Sequence, residues 1–205
     1  VTVVAYKPDG TVLGSAPLLD NLVSIFPGSY TGPFLLKFVD AGGGVYFDEA
    51  KNRFMPLNGK TLHVMVPALT HHVSVNALTE AAYQLALSQL GRESALTATS
   101  MRQFNDAVLV QFNAKVVAPY RTTDITNFAT TIDDRSGFGA IPNTFAGRFA
   151  VMLAALPVSA ETFDAALPAP ALSYTTQLTA DFTDDGTLNN SATRLAYGDT
   201  QTSML

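Results

Sequence analysis

The densest run of candidate ligands is Asp181-Phe182-Thr183-Asp184-Asp185-Gly186-Thr187-Leu188-Asn189. Asp181, Thr183 and Asp185 stand at its first, third and fifth positions, with Gly186 at the sixth and Leu188 at the eighth. A calcium loop spaces its oxygen ligands in this way. The twelfth position is Ala192, where such loops carry a bidentate Glu. The other reading is an Asp-Gly turn closing a preceding helix. Calcium at Asp181, Thr183 and Asp185 is the single cofactor expectation that the residues raise. Histidines gather at His63, His71 and His72. On a strand His71 and His72 point to opposite faces and cannot chelate one ion, and His-Glu-x-x-His is absent. Glu80 is the nearest carboxylate to them in sequence, and solvent-facing or junction histidines are expected. Asp133-Asp134-Arg135 offers adjacent carboxylates for acid/base work, but no partner nucleophile accompanies it and a surface loop is the default reading; Asp48-Glu49 reads as a turn that could contribute to a cation site. Gly-x-Ser-x-Gly, the phosphate-binding loop and the dinucleotide glycine pattern are all missing. No catalytic residue is expected.

The elements that must position these residues change character along the chain. Residues 1–6, 11–16, 22–26, 34–39, 45–47, 61–66 and 72–75 read as short strands. Turn residues such as Asp9-Gly10, Pro27-Gly28, Gly42-Gly43-Gly44 and Asn58-Gly59 separate them. From Asn76, a plausible N-cap, the period becomes helical over 77–90, ending at Gly91. A second helix follows a cap at Thr97 and carries Met101, Phe104, Val108, Phe112 and Val116 before Pro119. A third is expected over 143–156, a short fourth over 159–166, and a further segment over 172–182. The aromatic stripe Phe104, Phe112, Phe145 and Phe149 reads as core. Strands followed by helices indicate an α+β chain. The expected domains are an antiparallel β-sandwich at 1–75, a small helical lobe at 76–186 and an extended polar tail at 187–205.

Composition narrows the function. The 205 residues carry 12 Lys+Arg against 17 Asp+Glu, a net charge of −5, and only 14% charged residues. Without a basic run, nucleic-acid binding is not expected. No apolar stretch approaches the length of a membrane span. With no cysteine, disulfide staples, thiol catalysis and Cys-ligated zinc are excluded. Few charges, many threonines and no cysteine lean toward a bacterial surface or secreted protein. The opening at Val1, inside a strand pattern, suggests processing or an internal start within a longer precursor.

Two stretches carry a resemblance. Thr2-Val3-Val4-Ala5-Tyr6 with Asp9-Gly10-Thr11, then Pro27-Gly28-Ser29-Tyr30-Thr31-Gly32-Pro33-Phe34-Leu35-Leu36, resemble prealbumin-like (carboxypeptidase-regulatory-like) sandwich modules of bacterial surface proteins. Val45-Tyr46-Phe47-Asp48-Glu49, Leu62-His63-Val64-Met65-Val66-Pro67 and Val75-Asn76-Ala77-Leu78-Thr79-Glu80 are similar to the hand-over from sandwich to helices in such proteins. Asn-Ala stands here where those helices start with Thr-Pro. The likeness covers about residues 1–115 and brings no catalytic residues. It implies a sandwich lacking the strand upstream of residues 1–6, so that Val1, Val3 and Ala5 would form an open assembly edge. A strand of another copy or partner would fill the slot by addition; truncation, or filling by the chain's own tail, are the other readings.

The expected function is a non-enzymatic extracellular structural or adhesive module, self-associating through strand addition as the subunit of a bacterial surface filament. The rivals are a carbohydrate- or peptide-binding module, using Tyr30, Tyr46 and Tyr120 as platforms, and a hydrolase built on two converging carboxylates.

Overall fold

A computed structural model describes residues 1–19, 23–48, 53–115, 121–127 and 170–189. Among these, six strands precede three helices: β1 (Thr2–Tyr6), β2 (Val12–Pro17), β3 (Phe34–Val39), β4 (Val45–Asp48), β5 (Arg53–Pro56), β6 (Thr61–Val66), α1 (Ala77–Leu90), α2 (Ala98–Lys115) and α3 (Pro170–Asp185). The chain is therefore α+β, with an antiparallel sheet followed by helices. β2, β1, β3 and β6 form one sheet in that order, while β4 and β5 form a separate hairpin. Helices expected over 143–156 and 159–166, the tail beyond Asn189, and Tyr120, Asp133, Asp134, Phe145 and Phe149 lie outside the described residues.

Side-chain alternation sorts the sheet onto two apolar faces. Val3, Ala5, Phe34, Leu36, Val64 and Val66 make one cluster, against which Leu13, Leu18, Val23, Ile25, Val73 and Val75 pack. Tyr6, Leu35 and Met65 face the other way and join Leu78, Ala82, Leu85, Met101, Val108, Phe112, Leu178 and Phe182 of the helices. The change at residue 75 is thus one of secondary structure, and the largest hydrophobic cluster spans it. Residues 23–26 and 72–75, expected as strands, are irregular. Val23, Ile25, Val73 and Val75 cover the sheet while their backbone stays outside its ladder. One strand, β5, was not expected, because Arg53-Phe54-Met55-Pro56 is too short to show a period and ends on a proline.

The assembly edge expected at Val1, Val3 and Ala5 is not an edge. β1 pairs with β2 from Thr2 to Tyr6 and with β3 along the same residues, so both sides of its backbone are occupied. Val3 and Ala5 are core residues, and the Val1 carbonyl accepts the Leu18 N–H at 3.0 Å. Among the described residues, the outer strands of this sheet are β2 and β6.

α1 lies between β6, α2 and α3 and buries residues on nearly every side, from Leu78 through Ala86. Its start is closed by a reciprocal box. The Asn76 Oδ1 accepts from Leu78 N at 2.9 Å and Thr79 N at 3.1 Å, and the Thr79 Oγ1 accepts from Asn76 N at 3.0 Å. Asn76 Nδ2 also donates to the Ile125 carbonyl at 2.9 Å, anchoring residues 121–127. Gly91, at φ 75°, ends the helix in the left-handed conformation that glycine adopts without a Cβ penalty. Asn76→Ala is expected to cost about 1 kcal/mol from the cap alone, and more because the Ile125 carbonyl loses its donor. Chemical denaturation of the variant measures this; Asn76→Asp, which keeps the cap oxygen, should recover most of the cap contribution.

Candidate functional site

Between the sheet and α1 lies a chain of polar side chains. His63 sits on β6, on the face turned to the helices, and α1 presents Glu80, Tyr83 and Gln84 at i, i+3 and i+4, one side of the helix. The Glu80 Oε2 accepts the His63 main-chain N–H at 2.6 Å and lies 3.0 Å from His63 Nδ1. Gln84 Nε2 donates to the other oxygen at 2.7 Å. Both partners are nearly enclosed, with side-chain exposures of 10% for His63 and 8% for Glu80. The Tyr83 ring stacks on His63, centroids 3.9 Å apart and planes within 14°. Its hydroxyl donates to Glu93 Oε1 at 2.5 Å, and Tyr6 of β1 donates to the same oxygen at 2.8 Å. Six side chains from β1, β6, α1 and the turn of 3₁₀ helix at Glu93–Ala95 are thereby linked.

Burial, reinforced by the bond to Glu93, pushes the hydroxyls of Tyr6 and Tyr83 far above the usual tyrosine range, and burial does the same to Tyr174. All three stay protonated where a free tyrosine ionises near pH 10. Folded values raised above the unfolded one mean that their contribution is fully present below about pH 10. It is lost as pH climbs through the raised values. Absorbance titration of the native protein, which has seven tyrosines, is expected to leave these three silent near pH 10 and to release them with unfolding at higher pH. Full titration of all seven near pH 10 in a folded chain would contradict it.

A second polar anchor is Asp40, after β3. Its Oδ1 accepts Gly42 N at 2.9 Å and Gly44 N at 2.8 Å, and its Oδ2 accepts Gly59 N at 2.9 Å. These three backbone donors hold the carboxyl below the ordinary aspartate range. Asn58 and Gly59 both have positive φ, 54° and 73°, forming the tight turn into β6. Asp40 therefore pins the end of β3 to the start of β6.

Beside Glu80 a cleft of about 250 Å³ is lined by Lys60, Thr61, Leu62, Glu80, Gln84, Leu172, Thr175, Thr176 and Thr179. The Thr179 Oγ1 is buried there with no hydrogen-bond partner among the described residues. The cleft is smaller than the roughly 300–1,000 Å³ of drug-sized sites.

The residues singled out by sequence fare differently. Asp181, Thr183 and Asp185 do not form a calcium loop, because all three lie within α3. Helical backbone keeps a coiled ligand loop from forming. Asp181 is fully buried, whereas Asp185 accepts from Thr187 N at 2.8 Å and from the Thr187 hydroxyl, closing the helix as an Asx turn. No group of three or more His, Asp or Glu side chains among the described residues is placed to hold a metal ion. His71 and His72 are exposed and lie on an irregular segment. His63 instead meets Glu80, seventeen residues on. Tyr30 and Tyr46 are not open platforms: both are half-buried, with hydroxyls bonded to the Pro33 carbonyl and to Asp48 at 2.8 and 2.7 Å. Lys7 also covers the Tyr30 ring, its Nζ 4.9 Å from the centroid. Asp48 is buried in β4, and Glu49 lies outside the described residues. Phe112 is core, with Phe104 packed against it.

Sequence reasoning missed Glu93 and Asp40, and the pairing of Glu80 with His63. The i, i+3, i+4 set on α1 was a usable signal, since three polar side chains on a helix otherwise rich in Leu and Ala share one side. No helix among the described residues is long and apolar enough to cross a membrane. No protein-family model, curated protein or solved structure matches the chain.

Proposed function

We propose that the chain is a non-enzymatic structural or adhesive module of an extracellular or cell-surface protein, and that it self-associates through a sheet edge. One observation carries this reading: the two edges of the sheet are treated unequally. Along β6 the helices take the place of a next strand, with Glu80 accepting the His63 N–H and Asn105 Nδ2 donating to the Met65 carbonyl at 3.2 Å. No comparable side chain caps β2 among the described residues. Strand addition uses such an edge. The polar chain supports a structural role, since Glu80 bonds the His63 ring and its backbone N–H while Glu93 accepts from the Tyr6 and Tyr83 hydroxyls. A compact frame is what those bonds provide.

The low charge and absent cysteine agree with an exported building block. The prealbumin-like reading of residues 1–75 rests on the resemblance of their sequence and on a sheet with apolar side chains on both faces, with β4–β5 as a second, smaller sheet. Light scattering of the purified chain over rising concentration, with electron microscopy of the most concentrated samples, tests the reading. A mass above the 21.8 kDa of one chain is expected; a monomer at every concentration would overturn it.

A second reading, binding of a small carbohydrate or peptide, is favoured by the cleft beside Glu80 and the unpartnered Thr179 hydroxyl. Thermal-shift measurements with monosaccharides and dipeptides examine it, and a rise in melting temperature with one of them would support it.

A further inference from the structure

We infer that the self-association surface is the outer edge of β2, and that its occupant is β2 of a second copy, paired antiparallel about a two-fold axis centred on Ser15. The inference rests on the reading that the chain self-associates, and it adds the place and geometry.

Backbone directions come from the ladder. The Leu18 N–H bonds the Val1 carbonyl, and β2 pairs Ala16 with Val3 and Gly14 with Ala5. Backbone groups alternate in an antiparallel pair, so Gly14, Ala16 and Leu18 turn theirs toward β1. Ser15 and Pro17 turn theirs outward. Two features frame this window. The register shifts between Ala5 and Tyr6, which displaces Leu13 as a bulge. At the other end Pro17 has no N–H to offer.

Pairing centred on Ser15 joins these features without loss. Each Ser15 N–H meets the Ser15 carbonyl of the other copy, and each Pro17 falls opposite the bulged Leu13. The residue lacking a donor thereby meets the residue whose ladder position is already broken.

The side chains favour a second copy as the occupant. Val12-Leu13-Gly14-Ser15-Ala16-Pro17 has no charge, although charged residues are the usual guard of an exposed edge. A net charge of −5 per copy sets up repulsion between copies, and an uncharged strand is where they approach most easily. Exposed apolar side chains flank the window: Val12 at 63% and Leu19 at 67%. A two-fold interface is closed, so this edge yields a dimer and does not by itself propagate a filament.

Ser15→Pro is the discriminating variant. Its lost N–H points away from β1, so the folded chain keeps every ladder bond. Sedimentation equilibrium is run on wild type, Ser15→Pro and Val110→Lys, the last a control at an exposed apolar residue of α2 (66%). Wild type and Val110→Lys are expected to approach twice the chain mass, while Ser15→Pro weakens association about tenfold or more, in line with losing both central bonds. Should Ser15→Pro lose its native circular dichroism, Ser15→Lys replaces it and is expected to give the same loss. Wild type that associates equally with both Ser15 variants would overturn this edge and leave self-association standing. Masses beyond two chains would overturn the two-fold geometry. A wild type that stays monomeric would overturn self-association itself.

Discussion

Glu80→Ala is expected to lower the free energy of unfolding by about 3 kcal/mol, because it removes the acceptor of a buried backbone N–H and of a buried ring. The His63 N–H points outward from the β3–β6 ladder, and Glu80 Oε2 is its partner at 2.6 Å. Water does not replace that oxygen readily where the carboxylate is 8% exposed. Gln84 loses its bond at the same time. Domains are stable by only about 5–15 kcal/mol, so such a loss is a large share of the whole. Glu80→Gln keeps an acceptor oxygen and should recover roughly half of it. His63→Phe retains both the backbone N–H and a ring for Tyr83, and should cost less than Glu80→Ala. Urea denaturation with a common m-value separates the three. A change below about 0.5 kcal/mol for Glu80→Ala, the scale of an ordinary surface substitution, would show that the Glu80 clamp adds little to the fold.

Phe112→Ala is expected to cost about 3–5 kcal/mol, the range for emptying a buried aromatic site. Phe112 lies on α2, yet its cluster contains Tyr6, Leu35 and Met65 of the sheet as well as Leu178 and Phe182 of α3. The cavity should therefore weaken strands and helices together. Far-ultraviolet circular dichroism reports the backbone, and tyrosine fluorescence reports Tyr6 of the sheet among others. Both are expected to shift to the same lower denaturant midpoint. A helical transition that moves while a sheet transition stays would mean that the two parts unfold as separate units.

Much of the framework was legible because it rests on local signals. Asp9-Gly10 and Asn58-Gly59 mark turns that form as expected, with Gly10 and Gly59 at φ 88° and 73°. Asn76 and Gly91 bound α1 as the cap pattern implies. Residues 2–6, 34–39 and 61–66 carry the β-branched and aromatic density of strands and are strands. What failed depended on partners distant in sequence. The run 22–26 has strand composition, but covering the sheet buries Val23 and Ile25 without a ladder. The spacing around Asp185 imitates a calcium loop, but Tyr174, Leu178 and Phe182 bury one side of α3 and carry the helix through Asp185. β1 reads as an open edge only until Phe34–Val39 pairs along it. At the polar chain, residue types alone do not reveal that β6 and α1 bring His63 to Glu80 across seventeen residues. The same holds for Tyr6 and Glu93, separated by 87 positions.

Helix side chains cap one edge of this sheet, while a bulge and a proline frame the other; the proposed module is built on that asymmetry. Amide hydrogen exchange at Ser15, followed from dilute to concentrated protein, tests it most directly. The Ser15 N–H is expected to exchange freely in dilute solution and to become protected as concentration rises. The His63 N–H, held by Glu80, should stay protected throughout. A Ser15 amide that exchanges at one rate across the whole range, in samples whose mass shows association, would contradict pairing through β2.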